Sequence, residues 1–106
     1  MALNVSTEVR GDVVKIALEG ELDASVSQIF KEAVEKAAQQ KPKRLVLLAG
    51  KLSFMASAGL RILIFAKQKM GADTEIYVIG AQGPVLSTLK MSGFDRSVYI
   101  KDVYID

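Results

Sequence analysis

The chain has 106 residues, half of them hydrophobic and a quarter charged, with 14 basic side chains against 12 acidic for a net charge of +2. A domain typically takes about 100 to 150 residues, so there is room for one core, and the balance is that of a folded soluble protein rather than a disordered or fibrous one. There is no cysteine and no histidine, which excludes thiol nucleophiles, Ser-His-Asp triads and zinc sites built on sulfur or imidazole. No metal and no cofactor are expected, and what remains is carboxylate, lysine or serine chemistry, and binding.

Met1 to Ser6 resemble neither a secretory leader nor an arginine-rich presequence. The longest apolar runs, Leu45 to Ala49 and Ile62 to Ala66, fall far short of the ~20 residues that span a bilayer. The expectation is one domain over residues 1–106, cytoplasmic and without a membrane segment.

Leu3, Val5, Thr7 and Val9 alternate with polar neighbours, Gly11-Asp12 interrupts, and Val14, Ile16 and Leu18 alternate again, the pattern of two half-buried strands joined by a tight turn. After Gly20 the period changes. Val26, Ile29, Phe30, Ala33, Val34 and Ala37 fall on one face of an amphipathic helix. Ser25 with Gln28 has capping-box spacing at its start, while Asp23 offers an alternative cap or faces solvent. Leu45 to Ala49 reads as a central strand buried on both faces, Gly50 to Ala56 as a loop, and Ser57 to Met70 as a second, largely covered helix closed by Lys67, Lys69 and Gly71. Glu75 to Ile79 is a further strand and Gly80 to Gly83 a turn. Pro84 opens a short helix with Val85, Leu86 and Leu89 on its apolar face. Val98 to Ile100 is a last strand, and Lys101 to Asp106 begin a terminal helix.

The order is therefore ββαβαβαβ, an α/β domain with a mixed, mostly parallel sheet of about five strands and helices packed against it. Ligands of such sheets gather beyond the carboxyl ends of the strands. The loops Gly20–Ser25, Gly50–Ser57 and Gly80–Gly83 are thus expected on one functional edge.

Ser57 heads the second helix, where its oxygen either caps the first turn or accepts a phosphate that the free N–H donors and helix dipole favour. A phosphate adds about −1.5 to −2 charges at pH 7, beside Leu52, Phe54 and Met55, which are either core or an exposed apolar rim. Glu21 and Asp23 read as a solvated glutamate and a capping aspartate; a hydrolase built on that pair lacks a cleft and a further catalytic group. Lys41 to Arg44 is a short basic loop, a net charge of +2 makes no field for nucleic acid, and the glycines form no nucleotide-binding loop.

The segments Gly20-Glu21-Leu22-Asp23 and Phe54-Met55-Ala56-Ser57-Ala58-Gly59-Leu60-Arg61, with a helix and a buried strand between them, resemble the STAS domains of bacterial anti-sigma factor antagonists over about Leu3 to Ile100. That resemblance implies a non-enzymatic protein that binds an anti-sigma factor, a serine kinase with a histidine-kinase-like ATPase fold, and so frees a sigma factor. It implies phosphorylation at Ser57 by that kinase, reversal by a serine phosphatase, and partner contacts at Glu21, Asp23, Ser25, Phe54, Met55, Ala56, Gly59 and Arg61. Three positions depart from the family pattern: Ala56 replaces the usual aspartate before the serine, Ala58 the following serine, and Leu48 an acidic or amide residue near the end of the central strand. A STAS-type scaffold or ligand-sensing domain without the switch is the alternative.

Overall fold

A computed structural model describes residues 3–104. Two antiparallel strands, β1 (Leu3–Arg10) and β2 (Val13–Leu22), open the chain. Their two-residue turn relies on Gly11, whose φ of +57° is the positive value a hairpin turn requires at its first central position. A short 3-10 turn (Ala24–Val26) then leads into α1 (Ser27–Gln39), followed by β3 (Arg44–Met55), α2 (Ser57–Met70), β4 (Glu75–Ile79), α3 (Gly83–Met91), a second 3-10 turn (Phe94–Arg96) and β5 (Tyr99–Lys101). The sheet order is β1-β2-β3-β4-β5, with every pair after the hairpin parallel.

That monotonic order decides where the core lies. Right-handed crossovers that all step in the same direction place their helices on the same face of the sheet. One cluster accordingly joins Val14, Ile16, Leu18, Leu45, Leu47, Ile76 and Val78 of the strands with Phe30 and Val34 of α1, Leu63 and Ala66 of α2, and Val85 and Leu89 of α3. Burying side chains of this size contributes roughly 1.5–3 kcal/mol each.

The opposite sheet face is covered by chain only in part. Val46 is fully buried there without belonging to the main core, beneath a cluster in which Tyr77 stacks on Tyr99 (4.9 Å between ring centres) and meets Tyr104 edge-on at 5.4 Å. The chain after β5 therefore folds back over the sheet, and Arg44 donates to the Tyr104 hydroxyl at 3.3 Å. Beside it runs a groove of about 560 Å³, with Ser6, Ala17, Leu48, Ile79 and Asp102 among its walls. Ser57 and Phe54 do not line it.

Several expectations change. The segment Gly50–Ala56 is not a loop: β3 runs on to Met55 because β2 also continues, to Leu22, and supplies a partner through Gly20↔Leu52, Glu21↔Phe54 and Leu22↔Met55. The last strand is shifted by one residue to Tyr99–Lys101. No terminal helix begins at Lys101 to Tyr104, and Ile105 and Asp106 lie outside the described residues.

Candidate functional site

At the carboxyl ends of β2 and β3 the ladder runs to the Leu22↔Met55 pair, the Ser53 hydroxyl donates to the Gly20 carbonyl at 3.0 Å, and the last tie is the Ala56 amide donating to the Leu22 carbonyl at 2.9 Å. Immediately beyond it the two segments part. Asp23 turns into the 3-10 turn and Ser57 starts α2, so the two motifs seen in the sequence stand side by side at one sheet edge.

Asp23 is a cap. Its Oδ1 accepts from the Ser25 amide at 2.9 Å and from the Ser25 hydroxyl at 2.6 Å, and these bonds, the hydroxyl's foremost, hold its carboxyl below the usual carboxylate value. The Ser25–Gln28 capping box does not form. Ser25 instead serves Asp23, and α1 begins at Ser27 after Val26, which brings no side-chain cap.

Ser57 is not a cap. The capping position belongs to Ala56, extended at φ −76° and ψ 165°, whose methyl group accepts nothing. The Ala56 carbonyl takes the amides of Gly59 and Leu60 at 3.0 and 3.2 Å. Ser57 is the first helical residue, exposed, at the positive end of a 14-residue helix that has no side-chain acceptor. Arg61, also exposed, lies four residues along α2, the spacing at which helix side chains meet.

The apolar residues before Ser57 divide between interior and surface. Leu52 and Met55 are 3% and 2% exposed and belong to the core, whereas Phe54 is 41% exposed. Met55 is therefore removed from the residues able to touch a partner. Gly59 is removed too: it is buried, and a Cβ there would lie 2.7 Å from Leu22 Cδ2, so its role is close packing of α2 on β2. Glu21 is half-buried and in register with Phe54, and Ala56 is half-buried at the helix start. One exposed side chain escaped the periodicity. Ile29, assigned to the buried stripe of α1, is 47% exposed in the first turn of that helix, at the same end of the molecule as Phe54. Its exposed large side chain is visible only once the helix is oriented.

The geometry defines a class: a two-layer α/β domain whose strand ends present an exposed serine, a capped aspartate and surface aromatic and aliphatic groups. The STAS domain model matches residues 4–104, and the chain belongs to that family. Among curated proteins it is similar to the anti-sigma-F factor antagonist RsfB of Mycobacterium tuberculosis, 22% identical over 91% of this chain and 79% of that one. Among solved structures it is similar to an anti-sigma factor antagonist from Mycobacterium paratuberculosis (TM-score 0.87, 23% identity, 96% and 87% of the two chains). It is also similar to the Bacillus cell fate determinant SpoIIAA in its phosphorylated form (TM-score 0.74, 20% identity, 97% and 92%).

Proposed function

We propose that this protein is an anti-sigma factor antagonist that binds a serine-kinase anti-sigma factor at the β2/β3 edge and is released when Ser57 is phosphorylated. The observation that carries the reading is the position of the Ser57 hydroxyl: exposed, engaged in no cap, at the positive end of α2 and three residues beyond the exposed Phe54. Relatives named as antagonists support it, as does SpoIIAA, solved in both unphosphorylated and phosphorylated forms.

In the transfer, the Ser57 oxygen bonds to the γ-phosphorus of ATP as the bond to the β-phosphate oxygen breaks, ADP leaves, and the hydroxyl proton passes to a base of the kinase. The antagonist supplies only the acceptor, so it is not itself an enzyme. The fold accommodates the product because no internal bond of Ser57 is lost, the helix end favours the anion by about 0.3–1 kcal/mol, and Arg61 is placed to pair with it. A partner seated on Phe54 meets instead about two new negative charges at an apolar contact, where uncompensated desolvation costs several kcal/mol. A serine phosphatase resets the module, and the exchange takes place in the cytoplasm, where sigma factors act.

The test is incubation with the cognate kinase and ATP followed by intact mass. One added phosphate that Ser57→Ala prevents is expected, together with retained partner binding by Ser57→Ala and lost binding by Ser57→Asp. Phosphate on another residue, or equal affinity of the two variants, would overturn the switch and leave a STAS scaffold without it.

A further inference from the structure

The two edges of the sheet are unlike. One ends in β5, only three residues long, the kind of short edge that discourages pairing with another chain. The other is β1, with eight residues, no proline and an uninterrupted register against β2. Ser6 to Arg10 are all exposed, and Val9 leaves 50% of its surface in solvent. The charges that commonly protect an edge cancel here, since Arg10 pairs with Glu8 at 3.2 Å.

We propose that two copies of this chain associate through β1, antiparallel about a two-fold axis at Thr7, so that two five-stranded sheets become one. The backbone decides which registers are open. A two-residue turn closes on a hydrogen-bonded pair, here Arg10 with Val13, and such pairs alternate along an antiparallel ladder. The backbone groups of Val5, Thr7 and Val9 therefore point away from β2. An axis at Thr7 sets these three against Val9, Thr7 and Val5 of the second copy and completes the ladder.

The side chains agree with that register. On the helix-side face, Val5 meets Val9 and Thr7 meets Thr7, β-branched pairs that favour sheets. On the open face, Ser6 meets Glu8 and Asn4 meets Arg10, so no like charges are opposed. Moving the axis to Glu8 would set Glu8 against Glu8. Moving it to Ser6 would spend Val9 on Leu3, which is already 6% exposed in its own core. An edge of this length buries little area, so the dimer forms with rising concentration.

The chain has no cysteine, which makes cross-linking a clean test. In a hydrogen-bonded antiparallel pair the Cα atoms lie about 5.5 Å apart with both side chains on one face, wider at Cβ than a direct disulfide favours but within reach of a short bifunctional thiol reagent. With such a reagent Thr7→Cys should yield more covalent dimer than Ser6→Cys, whose two copies stand diagonally apart in this register. Sedimentation equilibrium should show the unmodified chain moving from monomer to dimer across the micromolar to millimolar range, and Thr7→Lys staying monomeric with an unchanged melting curve. A chain that stays monomeric throughout, a Thr7→Cys variant that fails to cross-link, or preferential cross-linking by Ser6→Cys would each overturn the proposal.

Discussion

Gly59 lies against Leu22 so closely that a Cβ on the glycine would stand 2.7 Å from Leu22 Cδ2 and 2.8 Å from its Cγ. Leu22 has no exposed surface, so its side chain yields only by displacing core neighbours, and Met55 Cγ, 3.3 Å away, closes another direction. This contact seats the first turn of α2 on the end of β2. Gly59→Ala gains helix propensity of up to about 1 kcal/mol but overpacks the core, which costs roughly 1–3 kcal/mol. Net destabilisation by urea unfolding is expected, and a neutral or stabilised variant would show that the contact relaxes freely.

The vacant capping position at Ala56 yields an opposed pair of outcomes. Ser57 makes no cap, so Ser57→Ala should shift stability by less than about 0.5 kcal/mol. Ala56→Ser, with a backbone already extended at φ −76° and ψ 165°, places an acceptor where α2 lacks one and should stabilise by about 0.5–2 kcal/mol. Denaturant midpoints at constant m value check both. If Ser57→Ala costs about 1 kcal/mol or more, the serine is capping after all.

Most of the fold was legible because its strands and helices carry undisturbed periods. The hairpin alternates from Leu3 to Leu18, and Phe30, Val34 and Ala37 keep helical spacing. The second half of β3 does not. Its pairing with β2 slips between Ala17 and Glu19 and again between Gly20 and Glu21, and each slip puts an extra residue into β3. Buried side chains then fall at Ala49, Leu52 and Met55, every third residue rather than every second, so the strand reads as a loop. The same bulges turn Met55 inward and leave Phe54 outside, a distinction that composition does not carry. The site's two motifs were readable from their residues. Their juxtaposition through the Leu22–Ala56 bond depends on β2 and β3 both running to the edge.

Asp23 brings a pH dependence with a definite sign. The Ser25 hydroxyl, with the amides of Ser25 and Val26, holds its folded pKa below the ordinary value of 3.8. A group depressed in the folded state contributes stability that is fully present above its unfolded pKa and is lost as pH falls through the folded one. The contribution is thus constant at neutral pH and fades only below about pH 4. Ser25→Ala removes the foremost cause but leaves the backbone donors, so carboxyl NMR titration should show the Asp23 pKa rising part of the way back. An unmoved value would mean that the backbone amides alone hold it.

The Tyr104 ring closes the open face over Val46, between Tyr77 and the Arg44 and Lys15 cations. Aromatic pairs of this kind contribute about 0.5–1.5 kcal/mol beyond their buried area. Tyr104→Ala should lower stability by at least that much and, since α2 and the β2/β3 edge are on other surfaces, leave the proposed phosphorylation of Ser57 unchanged. Loss of phosphorylation in a variant that remains folded would connect the two faces, contrary to their separation in the fold.

Phe54 and Met55 are neighbours in the chain with opposite surroundings, 41% and 2% exposed, and the proposed docking rim predicts opposite defects. Phe54→Ser removes an exposed ring and leaves the core intact, so the melting curve should hold while affinity for the anti-sigma factor falls at least ten-fold, as for an aromatic anchor near the centre of an interface. Met55→Ala empties core space beneath α2 at a cost of about 2–5 kcal/mol; whatever fraction stays folded should bind with near-normal affinity. Calorimetric titration at a temperature where both variants are folded separates the two. A Phe54→Ser variant that binds as well as the parent chain would move the docking surface off this edge, even if Ser57 is phosphorylated as proposed.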